Sequence, residues 1–214
     1  MEFWENRYRV RGLEWGTEPS IVGRTALKYL NGGNHHRILD VGCGYGRDCF
    51  FLASHGFEAV GLDISTVALS LGEDWKKREN VPNVQFVCSH INNHPFSENS
   101  FSAILIYNFM QLIKTQERQK LAADFFRLLQ PGGLLIQAVF STNEEGYGCG
   151  EPLEKNSYPT GGGRLRHFFD RQEIEKLFRA FTFLHLEEVV IPEQQTGKPP
   201  HYHHEWLMVL QKRQ

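Results

Sequence analysis

Along the first 140 residues, short aliphatic runs alternate with stretches whose apolar residues recur at helical spacing, and this alternation restricts the fold more than any other feature of the chain. The runs RILDV (37–41), FEAVGLD (57–63), VQFVC (84–88), FSAILIYN (101–108) and LLIQAVF (134–140) have the length and aliphatic content of buried strands. Between them lie helical patterns: one from Ile21 to about Asn31, capped by Ser20 and stopped by NGG; GRDCFFLASHG; Ser65 to Arg78; and Thr115 to Leu129. A turn at Pro131, Gly132 and Gly133 closes the last of these. Strands joined through helices must run parallel, so the pattern predicts a Rossmann-like, doubly wound α/β fold with a mostly parallel sheet and helices on both faces.

The end of the chain changes register. Asp170 is placed to cap a final helix, after which FTFLHLEEVVI (181–191) and HEWLMVLQK (204–212) follow one another with no helix between them. They should therefore pair antiparallel and bring the sheet to seven strands. The polar, glycine-rich stretch after Ser141 is too long for an ordinary connection and reads as a lid-like loop. A single domain over 1–214 is expected: an N-terminal helical cover (1–33), a core (34–140), the lid-like loop (141–169), and a C-terminal helix with antiparallel strands (170–214).

The segment DVGCGYGRD asks what its three glycines admit. Gly42, Gly44 and Gly46 stand between a strand and a helix, where the backbone can turn sharply and approach a ligand. A dinucleotide-binding turn would require glycine at position 47, which is Arg47, and this counts against a nicotinamide dehydrogenase. Asp63 ends the second strand, where a carboxylate can take both hydroxyls of a ribose, so any adenosine-type ligand suits the pattern. Its alternative role, capping the next helix, falls more naturally to Ser65.

ILDVGCGYG followed by GLDIS resembles the first two motifs of the class I S-adenosylmethionine-dependent methyltransferases. HPFSENSFSAILIYNFMQLI (94–113) and RLLQPGGLLI (127–136) are similar to that family's fourth strand and its turn into the fifth. A looser resemblance, carried by GRDCFFLASHGFEAVGLDIS and the opening FWENRYRVRGLEWGTEPS, is to the tellurite-resistance and thiopurine methyltransferase-like branch. The resemblance implies S-adenosylmethionine as cofactor and carries its contacts to Asp40, Gly42, Cys43, Gly44, Gly46, Arg47, Asp63, Ile64, His90, Ile91 and Tyr107. His90 departs from the family's usual carboxylate or amide near the adenine amino group. YNFM is not the NPPY-like motif of the family's amine methylators, so DNA and glutamine methylation lose weight.

The resemblance further implies that Tyr107 and Asn108, at the end of the fourth strand, face both methyl group and acceptor. Methyl transfer from a sulfonium mainly requires alignment and exclusion of water, and a proton acceptor where the nucleophile is oxygen or nitrogen. His167, beside the long loop, and His203 are the candidates for that role. Alternation sends His203 and Glu205 to one face of the last strand, and the His201, His203 and His204 group reads chiefly as a surface cluster at a strand end. No cysteine or acidic pair is spaced to complete a metal site there. Trp4, Tyr8 and Trp15 suit a segment folded over a pocket, on the substrate side.

A net charge of −2 gives no global field for a polyanion, so a small-molecule acceptor is expected and nucleic acid is not. The N-terminus has no signal-like apolar region and no run approaches a membrane span, which predicts a cytoplasmic protein without a membrane partner, as monomer or homodimer. Cys43, Cys49, Cys88 and Cys149 show no paired spacing and read as free thiols, three of them in or beside core elements. The rival from another class is a catalytically silent S-adenosylmethionine or S-adenosylhomocysteine sensor.

Overall fold

A computed structural model describes residues 2–30, 36–161, 164–193 and 201–213. The element order is α1 (Glu2–Arg11), α2 (Ile21–Leu30), β1 (Arg37–Val41), α3 (Arg47–Ala53), β2 (Glu58–Asp63), α4 (Thr66–Glu79) and β3 (Val84–Cys88). It continues with β4 (Phe101–Tyr107), α5 (Thr115–Leu128), β5 (Leu129–Phe140), β6 (Ser157–Thr160), β7 (Arg164–His167), α6 (Arg171–Leu177), β8 (Phe181–Glu193) and β9 (His201–Lys212). Seven strands form one sheet in the order β3-β2-β1-β4-β5-β9-β8. β1 to β5 are mutually parallel, while β9 runs antiparallel to both neighbours, as the uninterrupted last two strands required.

The middle strands are near-continuous apolar runs because both faces are covered. Leu39, Val41, Ile104 and Ile106 face one core with Leu121 and Phe125 of α5. Ile38, Leu105 and Ile136, one residue out of phase, face the other with Val22 and Ala26 of α2. The caps fall where the side chains place them. Ser20 Oγ accepts from Val22 N and Gly23 N, Ser65 Oγ from Ala68 N, and Asp170 from Glu173 N. The NGG expected to stop α2 lies outside the described residues.

Three expectations are corrected. Pro131, Gly132 and Gly133 are not a turn before β5 but lie inside it: pairing shifts between Phe101↔Leu129 and Ala103↔Leu134, and Gly132 takes up the irregularity at φ +76. The 141–169 segment is not an irregular loop, because SYPT and RLRH pair as the β6–β7 hairpin. Within the expected helical cover, Trp4 and Tyr8 lie four residues apart on one face of α1, and Trp15 follows in the turn after it. Of the four free cysteines Cys49 is buried and Cys43 half-buried, but Cys88 and Cys149 are exposed, since β3 is an edge strand and Cys149 lies in the turns before β6. No described helix is long and apolar enough to cross a membrane.

Candidate functional site

β1 lies between β2 and β4, so the connections leave it in opposite directions and a crevice opens at the carboxyl ends of these strands. The glycine turn sits there. Gly42 N and Cys43 N donate to Leu62 O, and Gly42, Gly44 and Gly46 all have positive φ (71°, 59° and 84°). A side chain at any of them would strain the backbone and also strike an aromatic ring. A Cβ would lie 2.9 Å from Phe109 at Gly42, 2.5 Å from Tyr8 Oη at Gly44, and 2.6 Å from Phe86 at Gly46. The missing side chains thus admit the protein's own aromatics: Tyr8 and Phe109 wall the crevice, and Phe86 packs behind the turn.

Asp63 joins the turn to the second strand. Its Oδ2 accepts from Gly44 N and its Oδ1 from Ser65 N, each at 2.8 Å, and burial pushes its carboxyl above the ordinary range despite these bonds. Each oxygen keeps a further acceptor position. Asp40 is more deeply buried, and burial reinforced by the neighbouring Asp48 pushes it well up; Cys49 Sγ donates to it at 3.5 Å. Asp48 accepts from both Ser20 N and Ser20 Oγ, locking α2 to the turn.

The crevice continues into a cavity of about 800 Å³, within the range of small-molecule sites. Asp40, Gly42, Cys43, Gly44, Arg47, Asp63, Ile64, His90, Ile91, Tyr107 and Asn108 all line it, as do Trp4, Tyr8 and Trp15. Gly46 does not; it packs behind the turn against Phe86. The cover is fastened by Arg47 and by two residues that the sequence did not single out, Tyr45 and Glu5. Tyr45 Oη donates to Gly16 O at 2.7 Å and accepts from Trp15 N at 3.1 Å, and burial pushes its phenol up to about 12. Arg47 reaches Trp15 O at 3.2 Å and lies over the Tyr107 ring. Glu5 caps α4, accepting from Thr66 N, Thr66 Oγ1 and Val67 N.

At the other end of the cavity the structure separates the two histidines. His167 does not line it: β7 turns this side chain inward, where Nδ1 meets Ser157 Oγ at 2.7 Å and Nε2 lies 2.9 Å from Glu173. His203 does line it and is not part of a surface cluster. Its ring stacks on Phe140, and its Nδ1 lies 2.7 Å from Oε1 of the buried Glu144, whose Oε2 accepts from His204 N. Acceptance by the carboxylate places a proton on Nδ1. His90 Nδ1 accepts from Asn92 N at 3.2 Å, so this imidazole, when neutral, carries its proton on Nε2 and offers a donor. Asn108, at φ +54, accepts from Gln111 Nε2, while Gln111 Oε1 is buried without a hydrogen-bond partner at the cavity wall.

The resemblance read from the sequence is borne out: the family model for a methyltransferase domain matches residues 38–133, and the fold is that of the S-adenosylmethionine-dependent methyltransferases. Demethylmenaquinone methyltransferase of Renibacterium salmoninarum is 35% identical over 105 residues, 49% of this chain and 41% of that protein. A 2-heptyl-1-hydroxyquinolin-4(1H)-one methyltransferase of Mycobacteroides abscessus is 29% identical, over 65% of this chain and 64% of that one. The mouse tRNA N(3)-cytidine methyltransferase METTL2 is 25% identical, over 68% and 40%. The chain thus spans less than two thirds of the length of these relatives. Among solved structures, the Burkholderia thailandensis 1,6-didemethyltoxoflavin-N1-methyltransferase, with S-adenosylhomocysteine bound, superposes with a TM-score of 0.70 at 19% identity, covering 100% of this chain and 85% of that one. TehB from Haemophilus influenzae gives 0.72 at 17% identity, over 98% and 67%.

The cofactor of that class is S-adenosylmethionine, and the residues present fit it. A carboxylate with spare acceptor positions ends β2, Ile64 and Ile91 offer apolar contact beside it, and Arg47 supplies a cation near the turn.

Proposed function

We propose that the protein is an S-adenosylmethionine-dependent methyltransferase acting on a small-molecule acceptor. The observation that carries this reading is the cavity at the switch point of the sheet, with the glycine turn and Asp63 on one side and His203 with Glu144 on the other. In it Asp63 takes the ribose hydroxyls, Ile64 and Ile91 press on the adenine, His90 donates to a ring nitrogen, and Arg47 meets the cofactor's carboxylate. S-Adenosylmethionine, when bound, supplies an electrophilic methyl group on a sulfonium.

The chain's own contribution is alignment, dryness and proton removal. Tyr107 and Asn108 border the space between the two ends. The Trp4, Tyr8 and Trp15 cover excludes water, which strengthens every polar contact inside. His203 takes the proton of an oxygen or nitrogen acceptor, and Glu144 stabilises the imidazolium that results. A closed aromatic cover and a net charge of −2 favour a small acceptor over a tRNA, the substrate of one relative.

Calorimetric titration with S-adenosylmethionine, S-adenosylhomocysteine and NAD, followed by a methyl-release screen over thiols, oxyanions, amines and carboxylates, tests this. Binding of the first two with turnover of an acceptor is expected. Binding of neither, or equal binding of NAD, would sink the reading.

A further inference from the structure

The hairpin wall of the cavity carries two arginines at alternate positions of β7, Arg164 and Arg166, which period-2 geometry sends to the same face. Each guanidinium lies over an aromatic ring: Arg164 at 3.7 Å from the centre of Phe3, Arg166 at 5.1 Å from that of Phe140. Among the described residues neither has an ion-pair partner, and Arg164 Nε is buried with no hydrogen-bond partner. Arg7, which reaches the cavity from α1, is already taken bidentately by Glu14.

The acids nearby do not neutralise the pair. Glu144 is engaged by His203 and His204 N, and Glu145, also at the cavity, makes no ion pair with either arginine. Burial, together with the charges of Arg7 and Arg166, lowers the pKa of Arg164, which is the expected cost of crowding cations where no anion is present. Stacking fixes the plane of a guanidinium and leaves its N–H edge as a rigid fork, the geometry that recognises a carboxylate or another oxyanion.

Resting on the methyltransferase reading, we infer that Arg164 and Arg166 form an anion subsite, and that the methyl acceptor is a small organic molecule bearing a carboxylate or comparable oxyanion. The subsite adjoins Phe140, on which His203 also stacks, so an acceptor anchored there presents its nucleophile near the proposed base. Such an anion also complements the positive sulfonium.

The test titrates protein saturated with S-adenosylhomocysteine against benzoate, 2-mercaptobenzoate and inorganic phosphate, and against the uncharged benzamide and 2-mercaptobenzamide. The aromatic anions should bind at least ~10-fold more tightly than their amides. Arg166→Gln should abolish that preference, Arg166→Lys retain part of it, and both should leave S-adenosylhomocysteine affinity and melting temperature unchanged. Equal binding of acid and amide, no binding of any anion, or an undiminished preference in Arg166→Gln would overturn the subsite. Phosphate binding alone would also overturn it, marking a general anion site instead of an acceptor site. If S-adenosylhomocysteine does not bind, the methyltransferase reading fails by itself, and the same titrations on the unliganded protein still decide the subsite.

Discussion

Replacing Asp63 with alanine separates a cofactor role from a structural one. The carboxylate accepts two backbone N–H bonds, from Gly44 and Ser65, each 2.8 Å long, and in the proposed complex would accept ribose hydroxyls as well. A hydrogen bond to a charged group contributes about 1.5–3 kcal/mol, so loss of one ribose contact alone should weaken binding ~10- to 150-fold. Two such contacts share one carboxylate and should not add in full. Folding should suffer less than these figures suggest. Alanine orphans two amides, but it also removes a carboxylate whose raised pKa records an unfavourable burial. Calorimetry with S-adenosylhomocysteine and thermal melting of the unliganded variant read the two effects apart. Affinity within two- to three-fold of wild type, in a variant that melts normally, would refute the ribose assignment and leave Asp63 as a clasp for the glycine turn.

Four further outcomes are expected. His203→Gln should lower turnover of an oxygen or nitrogen acceptor by about 10²- to 10⁴-fold, in a general-base pH profile, with S-adenosylhomocysteine affinity unchanged. Glu144→Gln should lower turnover by a smaller factor and flatten the same pH profile, and an unshifted profile would remove Glu144 from the proton path. Tyr45→Phe deletes the bonds to Trp15 N and Gly16 O, so limited proteolysis between residues 12 and 20 should become faster while the sheet stays protected. Burial pushes the Glu5 carboxyl up, but the bonds from Thr66 and Val67 outweigh it and hold the group below its ordinary 4.5. The stabilisation that Glu5 lends to the docking of α1 on α4 is therefore fully present above that value and lost as pH falls through the lower folded one; Trp fluorescence should report a weakening of the cover in acid that Glu5→Gln removes.

The parts legible in the sequence are those whose constraint is local. Strand, glycine turn and helix are contiguous from Arg37 to Ala53, and Asp63 is identifiable because it ends the next strand; both follow from periodicity and from backbone angles that only glycine readily adopts. What stayed hidden depends on contacts between distant segments. Glu5 meets Thr66 across 61 positions, His203 meets Glu144 across 59, and Tyr45 meets Trp15 across 30. His167 was misplaced for a related reason: once 141–169 is read as a loop, nothing says which way a side chain points. Strand alternation, available only after β6 and β7 pair, turns His167 inward and leaves Arg164 and Arg166 on the cavity.

This division coincides with the reach of the family match. Residues 38–133 contain the glycine turn, Asp63, His90, Tyr107 and Asn108, the side of the cavity assigned to the cofactor. The residues assigned to the acceptor, Arg164, Arg166, Glu144 and His203, all lie beyond it, and so do the covering Trp4, Tyr8 and Trp15. The cofactor side is held by a sheet edge, where register fixes each residue against its neighbour. The acceptor side is assembled from a helix before the core, a hairpin inserted after β5 and the antiparallel β9, all outside the β3-β2-β1-β4 register that holds the glycine turn and Asp63. The relatives include a demethylmenaquinone and a tRNA methyltransferase, and the acceptor of this protein has to be read from its own hairpin and last strand.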